Sequence, residues 1–266
     1  IGRHRPDREP ERGDWLPILD GGFDLQYAPL LECTHGRGRI VFCQLDVTAR
    51  TEDEPAARAI MANLLRHLDA AQPPPSRPLL YSGNPEGLEL LRRLGHAPGT
   101  LDAKGPPAGA LLVLGPGHQA QQLDSAVAAG ADVLGLGLAS ADLQRAFSER
   151  IGSKEQPTIS KPFDGTTSPE FSGTSSADLH WRTAPTIAAL STNASPHPAL
   201  AVLRRGKGRI VLCQAAPWMF DYPKHPYLRT THRRTTYLVA RLLANLGAHA
   251  DCPILNRFAK RPDTGT

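Results

Sequence analysis

Acidic side chains that lie close to glycine, histidine or tryptophan are the groups in this sequence that could perform catalysis. Hydrolysis of a glycosidic bond needs two carboxylates on rigid elements, one as the acid and the other as the nucleophile or base. Asp178 stands just before His180, and Asp20 and Asp24 stand on either side of a pair of glycines. Further acidic candidates are Asp46 and Asp221.

A structural interpretation of the same carboxylates is simpler, and we favour it. Short acidic side chains accept hydrogen bonds from nearby backbone N–H groups, so they are common at turns and loop anchors. On this interpretation Asp20 and Asp24 set the geometry of the turn between them, and Asp178 caps or anchors its loop. The sequence does not pair any two carboxylates convincingly.

Aromatic residues form a second group of candidates. Stacked rings suit the faces of sugars, and they suit packing or contacts between domains equally well. We expect packing or an interface to be their main use, and we retain Trp181 and Trp218 as ligand-binding candidates. His225 and His232 lie in a basic, proline-rich stretch and are expected at the surface. The aromatic residues concerned are Trp181, Trp218, Phe220, Tyr222 and Tyr227.

Loops that follow predicted strands are the third group, because ligands of parallel sheets bind at the carboxyl ends of the strands. Gly115-Pro116-Gly117 could accept an anion through its backbone N–H groups. It lacks a Gly-x-Gly-x-x-Gly pattern and a lysine that could reach a phosphate, so we predict a tight turn. The ligand-binding candidates in these loops are Ser82, Asn84, Gly115 and His118, and residues 138–140 complete the set.

The cysteines predict neither a disulfide framework nor a metal site. No Cys-x-x-Cys pair and no cluster of cysteine and histidine has the spacing of metal ligands, and no cofactor is expected. Cys43 and Cys213 stand inside matching apolar runs and are predicted to be small buried side chains. Cys33 is expected nearer to Ile40 than to Cys43, and Cys252 lies in a polar tail.

Strands and helices alternate from residue 78 onward, and this alternation predicts βαβ units with a parallel sheet. A helix that starts at Pro55 is predicted before them, because proline suits a first helical turn. Residues 152–185 are long and polar, and they predict an irregular surface excursion that forms a site or an interface. The predicted strands are 78–81, 110–114, 132–138, 186–190 and 199–203, and the predicted helices are 86–94, 118–129, 141–148 and 230–246.

One segment occurs twice. Residues 36–44 read GRGRIVFCQ and residues 206–214 read GKGRIVLCQ, and each copy is followed by a helical stretch that contains Ala-Asn-Leu. A repeat with so long a period indicates a duplicated domain, since solenoid repeats recur every 20–50 residues or so. Much less chain precedes the first copy, so either that copy is a partial domain or its front half lies before Ile1.

The repeat and the proline-rich stretch after residue 72 together predict the domain organisation. The predicted parts are the end of a first α/β unit at 1–72, a linker at 73–77, a complete second domain at 78–250 and a tail at 251–266.

Composition is that of a globular protein and argues against two classes of partner. The chain has 266 residues, of which 40% are hydrophobic and 21% are charged. Its net charge is +4, and no block of Lys and Arg with interleaved aromatic residues is present, which argues against nucleic-acid binding. No apolar run is long enough to cross a membrane.

These features together resemble a known family. A βαβ domain that closes with a Gly-x-Gly-Arg-Ile-Val hairpin and a helix resembles the class I glutamine-amidotransferase-like, flavodoxin-like domain. The residues from Phe23 to Thr51 and from Phe171 to Arg182 are similar to C-terminal regions of large bacterial glycoside hydrolases. Those proteins are β-galactosidase-like, with a family 2-type barrel upstream. The resemblance covers most of residues 14–250.

The sequence departs from this family where an active amidotransferase carries its catalytic groups. Such an enzyme has a cysteine on a Gly-x-Cys-x-Gly elbow and a His-x-Glu pair downstream. Here the turn at 114–119 has no cysteine, and the stretch from Gln214 to Pro217 has no histidine. Because nucleophile, base and orienting group must act together, amidotransferase chemistry is not expected.

The resemblance implies an α/β fold with a flavodoxin-like parallel sheet, helices on both faces and a closing antiparallel hairpin, duplicated with a partial first copy. It implies a non-catalytic accessory region of a larger carbohydrate-active enzyme, which braces an upstream catalytic domain of the same polypeptide or mediates homo-oligomerisation. Two alternatives stay open: a glycan- or small-molecule-binding module, and a hydrolase that uses Asp178 and His180. The resemblance favours a periplasmic or secreted bacterial protein, and a cytoplasmic one stays open.

Overall fold

The structure is a computed structural model, and it divides the chain into two compact units. Unit 1 comprises residues 1–75 with 250–266, and unit 2 comprises residues 76–249. No helix in the part of the chain that the structure describes is long and apolar enough to cross a membrane. The described residues are 15–21, 27–35, 38–69, 77–148, 151–159, 162–163, 168–192 and 195–250.

Unit 1 contains a three-stranded antiparallel sheet and one helix. The strands lie in the order β1-β2-β3, and α1 begins at Pro55 as the sequence predicts. The bounds are Trp15–Gly21 for β1, Tyr27–His35 for β2, Gly38–Cys43 for β3 and Pro55–Asp69 for α1. Its small core contains Ala28, Leu31 and Cys33, and Cys33 pairs with Ile40 across the sheet as predicted.

Unit 2 is built on a six-stranded sheet in the order β10-β11-β7-β6-β4-β5. Every neighbouring pair is parallel except β10 and β11, which form an antiparallel hairpin at one edge. β6 and β7 are buried along their whole length, which is typical of parallel strands covered on both faces. The bounds are Leu79–Ser82 for β4, Gly99–Thr100 for β5, Leu111–Leu114 for β6, Asp132–Leu136 for β7, Leu200–Arg205 for β10 and Gly208–Cys213 for β11.

Helices cover the two faces of this sheet and form two separate cores. Side chains of α2 and α5 pack with Leu111 and Val113 on one face. Side chains of α3 and α4 pack with Leu112 and Leu114 on the other, because successive strand residues point to opposite faces. The bounds are Pro85–Arg93 for α2, Asp124–Ala129 for α3, Ser140–Ala146 for α4 and Arg229–Asn245 for α5.

The described residues therefore form a mixed α/β fold with a mostly parallel central sheet and antiparallel hairpins, as the sequence predicts. The prediction for the stretch after β6 is wrong in part, because the helix begins at Asp124 and not at His118. Gln122 has a φ of 48°, a left-handed conformation through which an α-helix cannot run. The prediction that Cys43 is buried is also wrong: it is half-buried, whereas Cys213 is buried.

The predicted surface excursion is more ordered than its sequence suggests. Its first residues form β8, Ser153–Pro157, which pairs antiparallel with β9, Thr186–Leu190. Two short 3-10 helices, Pro169–Phe171 and Ser176–Leu179, pack against α5. The excursion thus contributes Phe171, Leu179 and Trp181 to the core.

Candidate functional site

Ligands of doubly wound sheets bind where the strand order reverses, and in this sheet that point lies between β4 and β6. The loops that follow these two strands touch backbone to backbone. A Cβ placed on Gly83 would lie only 2.5 Å from the Cα of Gly115. The contact leaves no crevice between the two loops at this point.

Polar side chains at this edge are engaged with one another. The Tyr81 hydroxyl donates to the backbone oxygen of Asn84 at 2.8 Å and approaches its Oδ1 at 3.0 Å. The Asn84 amide donates to Glu86 at 2.9 Å. A Cβ on Gly115 would lie 2.3 Å from the Tyr81 hydroxyl, so that ring fills the space beside the loop. Burial, with a smaller contribution from Glu86, raises the pKa of Tyr81 well above its usual value.

Two more of the predicted ligand-binding residues, Ser82 and His118, lie against other residues of unit 2. The Ser82 hydroxyl accepts a hydrogen bond from the backbone N–H of Gln119 at 3.3 Å. His118 is 1% exposed, and neither ring nitrogen has a hydrogen-bond partner of standard geometry among the described residues. Burial lowers the pKa of His118, although the nearby Asp142 carboxylate opposes that shift. The four predicted strand-end residues do come together, but in a closed edge.

Gln214 directly follows β11, and its side chain connects β9 with the segment after β7. It is fully buried. Its amide nitrogen donates to the backbone oxygens of Leu138 at 2.9 Å and Ala188 at 3.0 Å, and its Oε1 accepts from the N–H of Leu138 at 3.1 Å. All of these contacts are internal, so Gln214 is a structural residue.

The predicted pair of Asp178 and His180 is divided between the interior and the surface. Asp178 is 2% exposed, and its Oδ2 accepts the backbone N–H of Ser175 at 2.7 Å, which caps a 3-10 helix. Its Oδ1 lies 3.6 Å from Arg234. His180, by contrast, is exposed. The carboxylate therefore has the capping role of the structural interpretation.

Of the acidic candidates of unit 1, the structure describes the side chain of Asp46. Asp20 is on β1, whereas Asp24 falls outside the described residues. Asp46 is exposed and forms an ion pair with Arg50 at 2.7 Å. The part of the chain that the structure describes contains no group of three or more His, Cys, Asp and Glu side chains that could hold a metal ion.

The two tryptophan candidates of unit 2 differ in their surroundings. Trp181 is 6% exposed, and its ring packs against Phe220 and His197 with centroids 6.0 and 6.1 Å apart. It is a core residue. Trp218 is half-buried and lines an open cleft in unit 2. Of the two, only Trp218 can meet a ligand without a change in the core.

This aromatic cleft has a volume of about 370 Å³ and lies between α2 and the loop that follows β11. The α2 residues on it have the spacing of one helical face. Buried Leu90, Pro217 and Phe220 make the apolar part, and half-buried Trp218 and Tyr222 leave part of each ring accessible. The lining residues are Glu86, Glu89, Leu90, Arg93, Pro217, Trp218, Phe220, Asp221, Tyr222, Pro223 and His232.

Rigid elements hold the aromatic rings of the cleft in place. Trp218 belongs to a short 3-10 helix, Pro217–Met219, directly after β11. A Cβ on Gly137, just beyond β7, would lie 3.6 Å from the Trp218 ring, which is an ordinary contact distance, so the ring lies beside this strand end. The Tyr222 ring lies 4.6 Å from that of His232, which is half-buried and not the surface residue that the sequence predicts.

The sequence singled out Trp218, Asp221 and Tyr222, but it missed the α2 side of the cleft. Glu86, Glu89 and Arg93 are ordinary surface residues by composition. The signal available was their helical spacing directly after the strand β4, because that spacing places them on one face of a helix that begins at the carboxyl edge of the sheet.

Comparison with known proteins finds one structural likeness. No protein-family model matches the chain, and no curated protein matches it. The chain is similar to the solved structure of exo-beta-1,4-mannosidase Op5Man5 from Opitutaceae bacterium strain TAV5, with a TM-score of 0.36 and 14% sequence identity. The matched region covers 73% of this chain and 39% of the mannosidase. That neighbour is a glycoside hydrolase, and a likeness of this size carries no conclusion about the chain's own activity.

Proposed function

We propose that this chain is a non-catalytic accessory region of a larger carbohydrate-active enzyme, and that unit 2 is a flavodoxin-like, glutamine-amidotransferase-like domain without catalytic groups. Its parallel strands, numbered along the chain, lie in the order 2-1-3-4-5 that is typical of flavodoxin-like sheets. The carbohydrate context rests on the sequence resemblance. The proposed role is to brace a catalytic domain of the same polypeptide or to mediate oligomerisation.

The observation that carries the proposal is the closed carboxyl edge of the sheet between β4 and β6. The loops after these strands touch at Gly83 and Gly115. The stretch from Gln214 to Pro217, where the resemblance implies a histidine, contains none, and Gln214 forms three internal hydrogen bonds. Nucleophilic catalysis needs a nucleophile and a base in mutual reach beside an accessible substrate, and this edge supplies none of those conditions.

The alternative is a hydrolase that uses Asp178 and His180. A general acid or base must come within hydrogen-bond reach of its substrate. The buried, capping position of Asp178 disfavours this role.

Two measurements test the accessory role. Antibody raised against the chain should detect a native polypeptide much larger than 28.7 kDa in the source cells, and a band near that mass would contradict the proposal. The purified chain should hydrolyse no member of a panel of nitrophenyl glycosides. Hydrolysis that Asp178→Asn abolishes and the exposed control Asp102→Asn, outside the cleft, preserves would instead support the hydrolase.

A further inference from the structure

We propose that the aromatic cleft of unit 2 is a binding site for a neutral sugar or an amino sugar. The choice of carbohydrate as the ligand class rests in part on the proposed function, whereas the site itself is argued from its lining. The cleft lies at the carboxyl edge of the sheet, where ligands of doubly wound folds bind, but it is separate from the closed loops at Gly83 and Gly115.

The size and apolar surface of the cleft suit a sugar ring. Small-ligand pockets are usually 300–1,000 Å³ or so in volume, and this cleft has about 370 Å³. The C–H face of a sugar ring packs against an aromatic ring that is held rigid and partly exposed. Trp218 and Tyr222 have that combination, since Trp218 belongs to a 3-10 helix directly after β11 and the Tyr222 ring lies 4.6 Å from that of His232.

Polar groups of both kinds remain available around these rings. The side chains of Glu89 and Arg93 form no hydrogen bond or ion pair with any described residue. Asp221 accepts one backbone N–H, from Lys224, through Oδ1 at 3.2 Å. A sugar hydroxyl both donates and accepts, so it can donate to a carboxylate and accept from a guanidinium. The cleft therefore offers stacking and hydrogen bonding at once.

The charge of the lining selects among sugars. Three carboxylates, on Glu86, Glu89 and Asp221, stand against the guanidinium of Arg93. Like charges repel, so a uronic acid or a phosphorylated sugar is disfavoured. A neutral saccharide meets no such penalty, and the ammonium group of an amino sugar is attracted.

The test is calorimetry on the whole 266-residue chain with mannobiose, cellobiose, lactose, glucosamine, glucuronate and glucose 6-phosphate. We expect at least one neutral sugar or glucosamine to bind, and glucuronate and glucose 6-phosphate to bind at least tenfold more weakly. Trp218→Ala should weaken binding at least tenfold, and Glu89→Gln should weaken it without affecting the fold. Tyr227→Ala removes a ring that is 54% exposed and outside the cleft, so it serves as the matched control.

Three results would overturn this assignment. They are the absence of heat with every neutral sugar and with glucosamine, binding that neither Trp218→Ala nor Glu89→Gln weakens, and preferential binding of the anionic sugars. Circular dichroism confirms that each variant is folded. The size of the native polypeptide tests the accessory role separately, so a cleft that binds no sugar would leave that role standing.

Discussion

The two copies of the Gly-x-Gly-Arg-Ile-Val hairpin have the same local structure and different burial. The flanking residues pair in the same way in both copies: Gly38 pairs with His35, and Gly208 pairs with Arg205. The strand that follows is mostly buried in β11, whereas β3 contains no buried residue. Local sequence therefore determines the hairpin, whereas contacts outside the repeated segment determine how deeply its strand is buried.

The difference lies at the second edge of each strand. β11 pairs with β7 in parallel, with Ile210 opposite Val133, and helices cover both faces of that sheet. Among the described residues, β3 pairs only with β2. Equivalent side chains consequently differ: Leu212 is 0% exposed and Phe42 is 47% exposed. A repeated sequence predicts a repeated element, but it does not predict that element's neighbours.

The arginine of the motif shows the same contrast. Nε of Arg39 lies 3.1 Å from Glu32 on the adjacent strand β2. Nε of Arg209 lies 3.0 Å from Asp132 on β7, and its Nη1 lies 2.8 Å from Glu170, which is fully buried. Burial raises the pKa of Glu170, but hydrogen bonds from Ser168 and Arg209 outweigh it and the net pKa is lowered. The second copy thus uses its arginine to anchor the excursion as well as the sheet.

The largest expected difference between the copies comes from truncating equivalent apolar side chains. Leu212→Ala should lower the free energy of unfolding of unit 2 by about 2–5 kcal/mol, because it leaves a cavity in a closed core. Phe42→Ala should lower that of unit 1 by less than about 1 kcal/mol, because the ring is already half in water. Urea titration followed by hydrogen-exchange mass spectrometry measures each unit separately. Equal losses would contradict the burial contrast.

A methyl group added at the second glycine of each Gly-x-Gly motif should have the next largest effect on the difference in stability between the copies. A Cβ at position 208 would lie 2.1 Å from the carbonyl oxygen of Ala131 and 2.4 Å from that of Val127, so backbone must move. Gly208→Ala should destabilise unit 2 by about 1–3 kcal/mol. Gly38 is exposed, so Gly38→Ala should change unit 1 by about 0.5 kcal/mol or less. The same titration reads both variants, and a tolerated Gly208→Ala would refute this close packing.

Replacement of the glutamine that follows β3 or β11 should give a smaller difference in stability between the copies. Gln214→Ala leaves the backbone groups of Leu138 and Ala188 without their side-chain partner, at a cost of about 1–3 kcal/mol. Gln44 is exposed, and Gln44→Ala should stay within about 0.5 kcal/mol of the parent. The urea midpoint of unit 2 measures the first change. A Gln214→Ala protein as stable as the parent would show that the buried hydrogen bonds contribute little.

Features with a local cause could be predicted from the sequence, and features with a distant cause could not. The apolar runs before Gly115 and Gly137 predicted β6 and β7, and the proline at position 55 predicted the start of α1. The left-handed Gln122 that delays α3 carries no signal in residue type.

The same distinction applies to the candidate site. Trp218 could be singled out by its residue type, whereas the burial of Trp181 depends on packing with Phe220 from a later loop. Glu86 and Glu89 of the cleft lie on α2, whereas its aromatic residues lie on the loop after β11. More than half of the residues of unit 2 separate these two segments in the sequence, so only the fold brings them together.

The two cysteines of the repeated motif, Cys43 and Cys213, should differ in reactivity without any substitution. Burial raises the pKa of the Cys213 thiol to about 12, and the thiol donates a hydrogen bond to the backbone oxygen of Ala215. The thiolate is the nucleophile, so at pH 8 Cys213 is both protonated and shielded from reagents. Cys43 is half-buried and open to attack.

Iodoacetamide applied to the native chain should therefore modify Cys43 at least tenfold faster than Cys213, as measured by peptide mass spectrometry. In urea, where both strands are unfolded, the two rates should converge, because the motif gives the cysteines nearly identical sequence neighbours. Rapid labelling of Cys213 in the native chain would mean that β11 opens readily. The two copies would then differ in their average packing but not in how readily their strands open.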